Sequence, residues 1–444
     1  MSEADSGNGG TGWSDRVAFS DAFGGIAYRP FDVIVAADRG RDALLRFSLR
    51  AEPEPIFYDD AEEVAPRLYR GEVDADPLAV VEELRLDGVA AQPNHVLFAH
   101  GDCGCCGPHP ASSTSASPVF ASPVFASPVF ASPVFASPVF ASPVFASPVF
   151  ASPVFASQYR STGVRRSSAR PCEPPEEAWA QAQGPRQAPR FLVLDTGFAH
   201  EDLRPASVGG IQADPAHWEL PSEDNDPHLD PAAGHGTFIA GVIEQLLPGC
   251  QLTVERVLTT YGDGDEAAIA QRIRAAAGKF DLINLSFGGY ALDRPFALAA
   301  AVRHAQRAGA VVVASAGNDG TCRPTYPAAL PGVVGVGAVG PTGPAPFTNY
   351  GPWVRACAPG VDLVSSFFTA FDGPGRAVLG GSDPDKFESW AVWSGTSFAA
   401  PVVVAALARE MRCFGVTAEE AVRRVIDRPG LLRLHDLGTV VNLA

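Results

Sequence analysis

Three short motifs in the second half of the chain each place a reactive side chain beside a glycine turn. Asp195 ends the apolar run Phe-Leu-Val-Leu and is followed by Thr-Gly. His235 lies in Gly-His-Gly-Thr, and Ser397 lies in Gly-Thr-Ser-Phe-Ala-Ala-Pro, each before an apolar helical run. Alone, each motif is typical of an ordinary turn or helix cap. Together they supply the hydroxyl, imidazole and carboxylate that nucleophilic acyl transfer requires.

The elements around these motifs predict an α/β fold with a parallel sheet and helices on both of its faces. Carboxyl ends of parallel strands meet at one edge of a sheet, so we expect Asp195, His235 and Ser397 to converge in one crevice. The predicted strands are 191–194, 252–258, 282–285, 311–314 and 333–338, and the predicted helical segments include 266–277 and 295–308.

Two more motifs complete a resemblance to the subtilisin-like serine peptidases over residues 190–444. They are Asn-Leu-Ser-Phe-Gly-Gly at 284–289 and Ala-Gly-Asn-Asp-Gly at 316–320, and all five motifs follow the family order. The resemblance implies a serine endopeptidase with Ser397 as nucleophile, His235 as general base and then acid, and Asp195 as the orienting carboxylate. It also implies that Asn318 donates to the oxyanion beside the Ser397 backbone N–H.

The same resemblance implies a substrate cleft. One wall of the primary specificity pocket is expected from residues 286–289, the segment that pairs with the substrate backbone. The other wall is expected from residues 314–317, just before Asn318. Neither wall carries a charge, so we expect an uncharged, apolar residue before the scissile bond. A threonine at the pocket floor, where the family often has glycine, would shorten the pocket. The expected substrate-binding residues are Ser286, Phe287, Gly288, Gly289, Ala316, Gly317 and Thr325.

Composition limits the partners of the chain. It has 444 residues and a formal net charge of −17, which argues against nucleic acid as a partner. The long uncharged stretch between His109 and Tyr159 carries regularly spaced prolines, so it does not look like a membrane span. The first twenty residues lack the apolar core of a secretory signal. Either the protein stays in the cytoplasm, as the sequence given indicates, or its true start lies elsewhere. We expect a monomer without a membrane span that acts on protein or peptide substrates.

The middle of the chain is a low-complexity repeat. Ala-Ser-Pro-Val-Phe occurs eight times in succession at 116–155. A proline in every unit fixes φ and removes a backbone donor, which disfavours both helices and central strands. We expect an extended linker over residues 107–189. Two interpretations remain, an expansion tolerated in a surface linker and an adhesive spacer that exposes Val and Phe.

The segment before the repeat has the pattern of apolar and polar residues that is typical of a folded domain. Residues 1–29 are polar and predicted disordered, and residues 30–106 are predicted to form a small α+β domain. A strand is expected at 31–37, a helix from Asp76-Pro77 to the stop at Gly88, and an extended segment at 89–98. The end of this segment resembles a subtilisin-type propeptide, with an unrelated small α/β domain as the alternative.

No cofactor is expected, although two clusters raise the question of metal. The acidic stretch Glu-Asp-Asn-Asp at 223–226, with Asp230, is either a calcium loop or a solvated surface loop. The short segment 240–254 lacks the insert in which the family usually binds calcium. Cys103, Cys105, Cys106 and His109 lie too close together for ordinary zinc spacing, and a redox-labile exposed patch is the alternative.

Three functions fit these motifs. The first is an active serine endopeptidase, and the second is a catalytically silent subtilisin-like scaffold used for binding. The third is a hydrolase acting on esters through the same acyl-transfer groups. The complete set of Asp195, His235, Ser397 and Asn318 favours an active enzyme, and the backbone-pairing segment at 286–289 favours peptides over esters.

Overall fold

The structure is a computed structural model. It describes residues 17–20, 25–36, 46–47, 49–52, 55–57, 66–70, 76–99, 109–110, 188–211, 213–224, 226–373, 377–378, 381–382 and 385–441. The pentapeptide repeat, the cysteines at 103, 105 and 106, the His109 side chain and most of the predicted linker lie outside this description. No helix in the described ranges has the length and apolar character needed to cross a membrane.

The described residues up to 110 form mainly an antiparallel sheet and one helix. The sheet order is β5-β2-β4-β3, with β1 against β2. The helix packs its apolar face on this sheet, which gives the small α+β arrangement that the sequence predicts. The elements are β1 (Ala18–Ser20), β2 (Ile26–Val35), β3 (Arg50–Ala51), β4 (Arg67–Arg70), α1 (Pro77–Leu86), β5 (Ala91–Ala99) and β6 (His109–Pro110).

Helix α1 begins and ends where its sequence indicates. The Asp76 carboxylate accepts a hydrogen bond of 3.1 Å from the Leu78 N–H, and Pro77 occupies the first helical position. Gly88 follows the helix with a left-handed φ of 78°. The predicted helix is therefore confirmed, and the predicted extended segment after it is β5.

The prediction that residues 1–29 are disordered is wrong for part of that range. Strand β1 and the first residues of β2 lie within it and pair with each other. Val17 and Ala27 are buried against Val96 of β5, so this stretch is ordered by a long-range apolar contact. Local composition carries no signal of such a contact. Strand β2 accordingly begins earlier than the predicted strand at 31–37.

The later part of the chain alternates strands and helices as predicted. Its helices are α2 (His235–Leu246), α3 (Glu266–Ala276), α4 (Phe296–Arg307), α5 (Thr396–Phe414) and α6 (Ala418–Val422). The strands up to residue 315 are β7 (Arg190–Asp195), β8 (Phe198–Ala199), β9 (Trp218–Glu219), β10 (Gln251–Arg256), β11 (Asp263–Asp265), β12 (Leu282–Leu285), β13 (Phe287–Gly288) and β14 (Val311–Ser315).

The remaining strands are shorter on average. They are β15 (Val334–Gly340), β16 (Gly343–Pro344), β17 (Val354–Pro359), β18 (Leu363–Ser366), β19 (Phe371–Gly373), β20 (Ala377–Val378), β21 (Gly381–Ser382), β22 (Asp385–Phe387), β23 (Trp390–Trp393), β24 (Arg433–Leu434) and β25 (Gly438–Val440). The main sheet has the order β10-β7-β12-β14-β15-β17-β25-β24, and all pairs from β10 to β25 are parallel.

Strand β7 shows why both faces of this sheet need helices. Phe191 and Val193 belong to one apolar core with residues of α2 and α5. Leu192 and Leu194 belong to a second core with residues of α3 and α4. Because successive side chains of a strand point to opposite faces, a continuous apolar run is buried on both sides. The predicted α/β class is confirmed.

Strand β5 connects the two parts of the chain. It pairs antiparallel with β11, where Phe98 lies opposite Asp263, and with β13, where Ala99 lies opposite Phe287.

Strand β6 lies within the predicted linker 107–189, and its two residues pair with β23. The pairing satisfies backbone N–H and C=O groups that would otherwise be unpaired at this edge of β23.

The turn before α2 gives a test of this packing. Gly234 is the N-cap of α2, with φ 81°, and a Cβ there would lie 2.2 Å from the Phe367 ring. Gly249 has φ 70° with open space around it. Both substitutions to alanine incur left-handed strain of about 1–2 kcal/mol. We expect Gly234→Ala to lower the free energy of unfolding by a further 1–3 kcal/mol or so, because it also overpacks the core. Equal losses in denaturant unfolding of the two variants would contradict this packing.

Candidate active site

The three residues singled out by sequence lie where the parallel sheet meets its helices. Asp195 is the last residue of β7, His235 is the first residue of α2, and Ser397 is the second residue of α5. All three side chains are buried. The structure therefore brings these positions to one end of the sheet, as the topological argument predicts.

Asp195 and His235 are in direct contact. His235 Nδ1 lies 2.7 Å from Asp195 Oδ1, and the Thr196 N–H donates to the same oxygen over 2.8 Å. Because a carboxylate oxygen accepts, Nδ1 carries the proton. This leaves Nε2 of the neutral ring as the acceptor, and no described residue forms a hydrogen bond to it.

Close glycine contacts join the segments that carry these two residues. A Cβ on Gly236 would lie 2.1 Å from the Gly197 carbonyl oxygen. The His235 ring is held from other sides by Trp393 and Phe398, with ring centroids 5.4 and 5.2 Å away. The imidazole is therefore packed between the Asp195 segment and the start of α5.

Ser397 is held through its backbone as well as its hydroxyl. Its Oγ donates to the Ser286 carbonyl over 2.8 Å, and Ser286 Oγ donates to the Ser397 carbonyl over 2.7 Å. Four residues after Ser397, Pro401 has no N–H to bond that carbonyl as a regular helix would. The proline within α5 thus leaves the Ser397 carbonyl for Ser286, which Asn284 in turn holds through a bond of 2.9 Å.

The Asn318 side chain is anchored to the turn that precedes Ser397. Its Oδ1 accepts from the Thr396 N–H over 3.0 Å and from the Thr396 hydroxyl over 2.9 Å. The Thr396 hydroxyl in turn accepts from the Gly317 N–H. With Oδ1 engaged in this way, the donor end of the carboxamide is Nδ2, and Asn318 also lines a cavity.

A cavity of about 370 Å³ lies between the front segment and the later part of the chain. Of the predicted substrate-binding residues, Gly288, Gly289 and Thr325 line it. Phe287 is buried in the core and contributes its backbone to the pairing with β5, whereas Ser286, Ala316 and Gly317 are buried and are not among the residues that line the cavity. The Thr325 hydroxyl accepts from Asn349 over 3.1 Å.

Sequence reasoning missed two further residues of this wall. Tyr290 and Asp319 also line the cavity, and the Tyr290 hydroxyl donates to the Asp319 carboxylate over 2.7 Å. Burial and the Asp319 contact raise the pKa of Tyr290. Asp319 directly follows Asn318 in the motif at 316–320, so the sequence could have predicted that Asp319 lies next to the pocket. The wall is therefore not free of charged groups.

A buried carboxyl next to the Asp195–His235 pair was also missed. Glu219 is fully buried at the end of β9 and accepts from the Gly234 N–H over 3.1 Å and the Thr237 hydroxyl over 2.8 Å. Burial raises the pKa of Glu219, although the hydrogen bonds to it lower the pKa in part. Nothing in the sequence near Glu219 distinguishes it from the other acidic residues of that stretch.

The acidic stretch at 223–230 is satisfied by protein groups. Glu223 pairs with Arg256 and accepts from the Thr260 N–H, and the Thr260 hydroxyl donates to Asp230 over 2.5 Å. Among the described residues, no group of three or more His, Cys, Asp or Glu side chains is arranged to hold a metal ion. Cys103, Cys105 and Cys106, whose spacing is too close for an ordinary zinc site, are outside the described residues.

The contact between Asp195 and His235 predicts the tautomer of the imidazole. We expect ¹⁵N NMR of histidine-labelled protein at neutral pH to show His235 protonated at Nδ1, because Asp195 is its only acceptor in the described structure. Asp195→Asn should change this population toward the Nε2–H form, since the amide then offers a donor. Assignment by His235→Gln separates this signal from the other histidines. An Nε2–H form in the unmodified protein would contradict the geometry.

The chain is similar in sequence to known proteins. The profile of the Subtilase family, peptidase family S8, matches residues 192–428. A thermostable alkaline protease of Halalkalibacterium halodurans is 36% identical over 191 residues, which cover 40% of this chain and 49% of the relative. A thermophilic serine proteinase of Bacillus sp. strain AK1 is 32% identical over 267 residues, covering 56% and 59%. Thermitase of Thermoactinomyces vulgaris is 31% identical over 241 residues, covering 51% and 75%.

A solved structure described as a cold adapted subtilisin-like serine proteinase is also similar, with a TM-score of 0.44 and 24% identity over 59% of this chain and 91% of that one. The match spans only 49% and 59% of the first two relatives. The family profile, however, covers more than half of the 444 residues in the order of the motifs described above. The chain belongs to the subtilase family.

Proposed function

We propose that the chain is a serine endopeptidase in which Ser397, His235 and Asp195 act as the catalytic triad. The observation that carries this proposal is the position of strand β5. A peptide segment already pairs with β13, and β13 directly follows Ser286, whose carbonyl accepts the Ser397 hydroxyl. A backbone-pairing edge beside a nucleophile suits a peptide substrate better than a simple ester.

Each triad residue has a defined step in this mechanism. The Ser397 hydroxyl turns from the Ser286 carbonyl toward Nε2 of His235, which takes its proton as Oγ attacks the substrate carbonyl carbon. Asp195 stabilises the imidazolium that forms. His235 then gives the proton to the leaving amine, the peptide C–N bond breaks, and water hydrolyses the acyl-enzyme by the same steps.

The oxyanion would be stabilised by two donors. Nδ2 of Asn318 and the backbone N–H of Ser397 supply hydrogen bonds, and the positive end of the α5 dipole adds to them. The cavity lined by Gly288, Gly289 and Thr325 would take the side chain before the scissile bond. Gly288 and Gly289 leave room for an apolar side chain, and the one carboxylate named in its wall, Asp319, is held by the Tyr290 hydroxyl, so we propose an uncharged residue there. No metal or organic cofactor has a part in this proposal.

Substitution of the nucleophile and the oxyanion donor tests the mechanism. Ser397→Ala should abolish hydrolysis of an unfolded protein substrate without a change in melting temperature. Asn318→Ala should lower kcat by about 10²–10³ with little change in KM, the range for an oxyanion donor in a subtilisin. Wild type that cuts neither peptide nor ester would be a silent scaffold. Hydrolysis of an ester but not of the peptide of the same sequence would indicate an esterase.

We also propose that the front segment acts as a propeptide that covers the cleft. Strand β5 lies between β11 and β13, and the Ala99 N–H donates to the Gly262 carbonyl over 2.9 Å. An extended strand held by antiparallel pairs on both sides is bound as a substrate backbone would be. Other peptides would then be excluded while β5 stays in place.

Polar residues of β5 complete the N-termini of two helices in the later part. Asn94 Oδ1 accepts from the Ala267 N–H of α3 over 3.2 Å, and Gln92 Oε1 accepts from the Phe296 N–H of α4 over 2.9 Å. Gln92 and His95 also bind the fully buried Glu266 over 2.6 and 2.8 Å. Helix N-termini leave backbone donors unsatisfied, so these contacts support a role in folding α3 and α4.

Processing of the chain tests the propeptide proposal. Wild type should be cut between Ala99 and Arg190, and Ser397→Ala should stay at full length, as intact mass will report. Replacing both Gln92 and Asn94 by alanine should lower the yield of active enzyme, because the Ala267 N–H of α3 and the Phe296 N–H of α4 lose their acceptors. Glu82→Ala, on the exposed face of α1, is the matched control. Full activity of an uncut chain would leave the front segment as an unrelated domain.

A further inference from the structure

We propose that Glu219 is a positioning residue of the triad, which fixes the first turn of α2 against the segment that follows Asp195. The inference rests on the proposed peptidase function and adds a fourth buried polar residue to it. Glu219 touches neither the substrate cleft nor the reacting atoms of Ser397. It acts on His235 through the residues on either side of it.

Both oxygens of Glu219 are used within this turn. One accepts from the Thr237 hydroxyl over 2.8 Å, and the other accepts from the Gly234 N–H over 3.1 Å. Gly234 and Thr237 stand immediately before and two residues after His235. Helix α2 has no side-chain cap of its own at Gly234, so the carboxyl from β9 performs that role across the fold.

Two threonines extend this contact to the Asp195 side. The Thr237 hydroxyl accepts from the Ala199 N–H over 2.8 Å, and the Thr196 hydroxyl accepts from the Gly236 N–H over 3.0 Å. Each of these two threonine hydroxyl oxygens therefore already accepts a hydrogen bond, and the hydroxyl hydrogen remains available to be donated to Glu219. The Thr237 hydroxyl donates to that carboxyl, and the Thr196 hydroxyl helps to lower its pKa. Every partner of Glu219 is a donor.

This arrangement explains why the residue is a carboxyl and not an amide. Glutamine supplies one acceptor oxygen, and its NH₂ group would face the N–H of Gly234 or a threonine hydroxyl that already has its donor partner. One contact would be lost or reversed. The chemistry next to it is sensitive to such a change, because misplacement of a catalytic group by about 1 Å costs on the order of 10²-fold in rate.

The experiment compares two site variants with two controls, using active-site titration to count competent enzyme. Glu219→Gln and Thr237→Val should each lower kcat about 10- to 100-fold and leave KM within about twofold. Thr237→Ser retains the hydroxyl and should restore kcat to near that of wild type. Thr439→Val removes a buried threonine hydroxyl bond of 2.6 Å to the Ile426 carbonyl, remote from the site, and should lower only the melting temperature.

A second readout does not depend on activity. The NMR signal of the His235 Nδ1 proton should broaden and exchange faster in Glu219→Gln and Thr237→Val, but not in Thr439→Val. If kcat per titrated site and this signal stay unchanged while the melting temperature falls, Glu219 only stabilises the fold and the proposal is wrong. If wild type has no peptidase activity, the proposed function fails, and the His235 signal still decides the role of Glu219.

Discussion

The hydrogen bond from His235 to Asp195 is made where neither side chain meets water. A carboxylate buried in this way costs several kcal/mol unless it is paired and hydrogen-bonded. The bond of 2.7 Å and the Thr196 N–H meet that requirement for one oxygen. The pair joins the end of β7 to the start of α2, so both elements must hold their relative position closely. The glycine contact between Gly236 and Gly197 and the bonds of Glu219 serve that constraint.

A similar constraint on position applies to Ser397, which is held by other contacts. Ser397 is fixed by reciprocal bonds with Ser286, which exist because Pro401 leaves the Ser397 carbonyl without a helical partner. Asn318 is fixed to Thr396 of the same turn. The start of α5, the Asn318 side chain and the Ser286 segment are therefore linked by hydrogen bonds before any substrate arrives. Such preorganisation is what an acyl-transfer site needs.

Much of the fold could be predicted because its signals are local. The strand that ends at Asp195 and the helix that begins at Asp76 follow from apolar runs and caps. The meeting of Asp195 and His235 followed from a general rule of parallel sheets. What could not be predicted depends on distant pairings. Strand β1 is ordered by contact with Val96, and Glu219 lies behind His235 only because β9 pairs with β8.

The central claim is that Ser397 is the nucleophile of this assembly, and covalent labelling tests it most directly. Wild-type protein would be incubated with a fluorophosphonate, digested, and analysed by mass spectrometry. The account predicts a single phosphonyl adduct on Ser397, absent from Ser397→Ala and strongly slowed in His235→Ala, because Nε2 must take the hydroxyl proton. Stoichiometric labelling of another residue, or peptide hydrolysis that persists in Ser397→Ala, would contradict it.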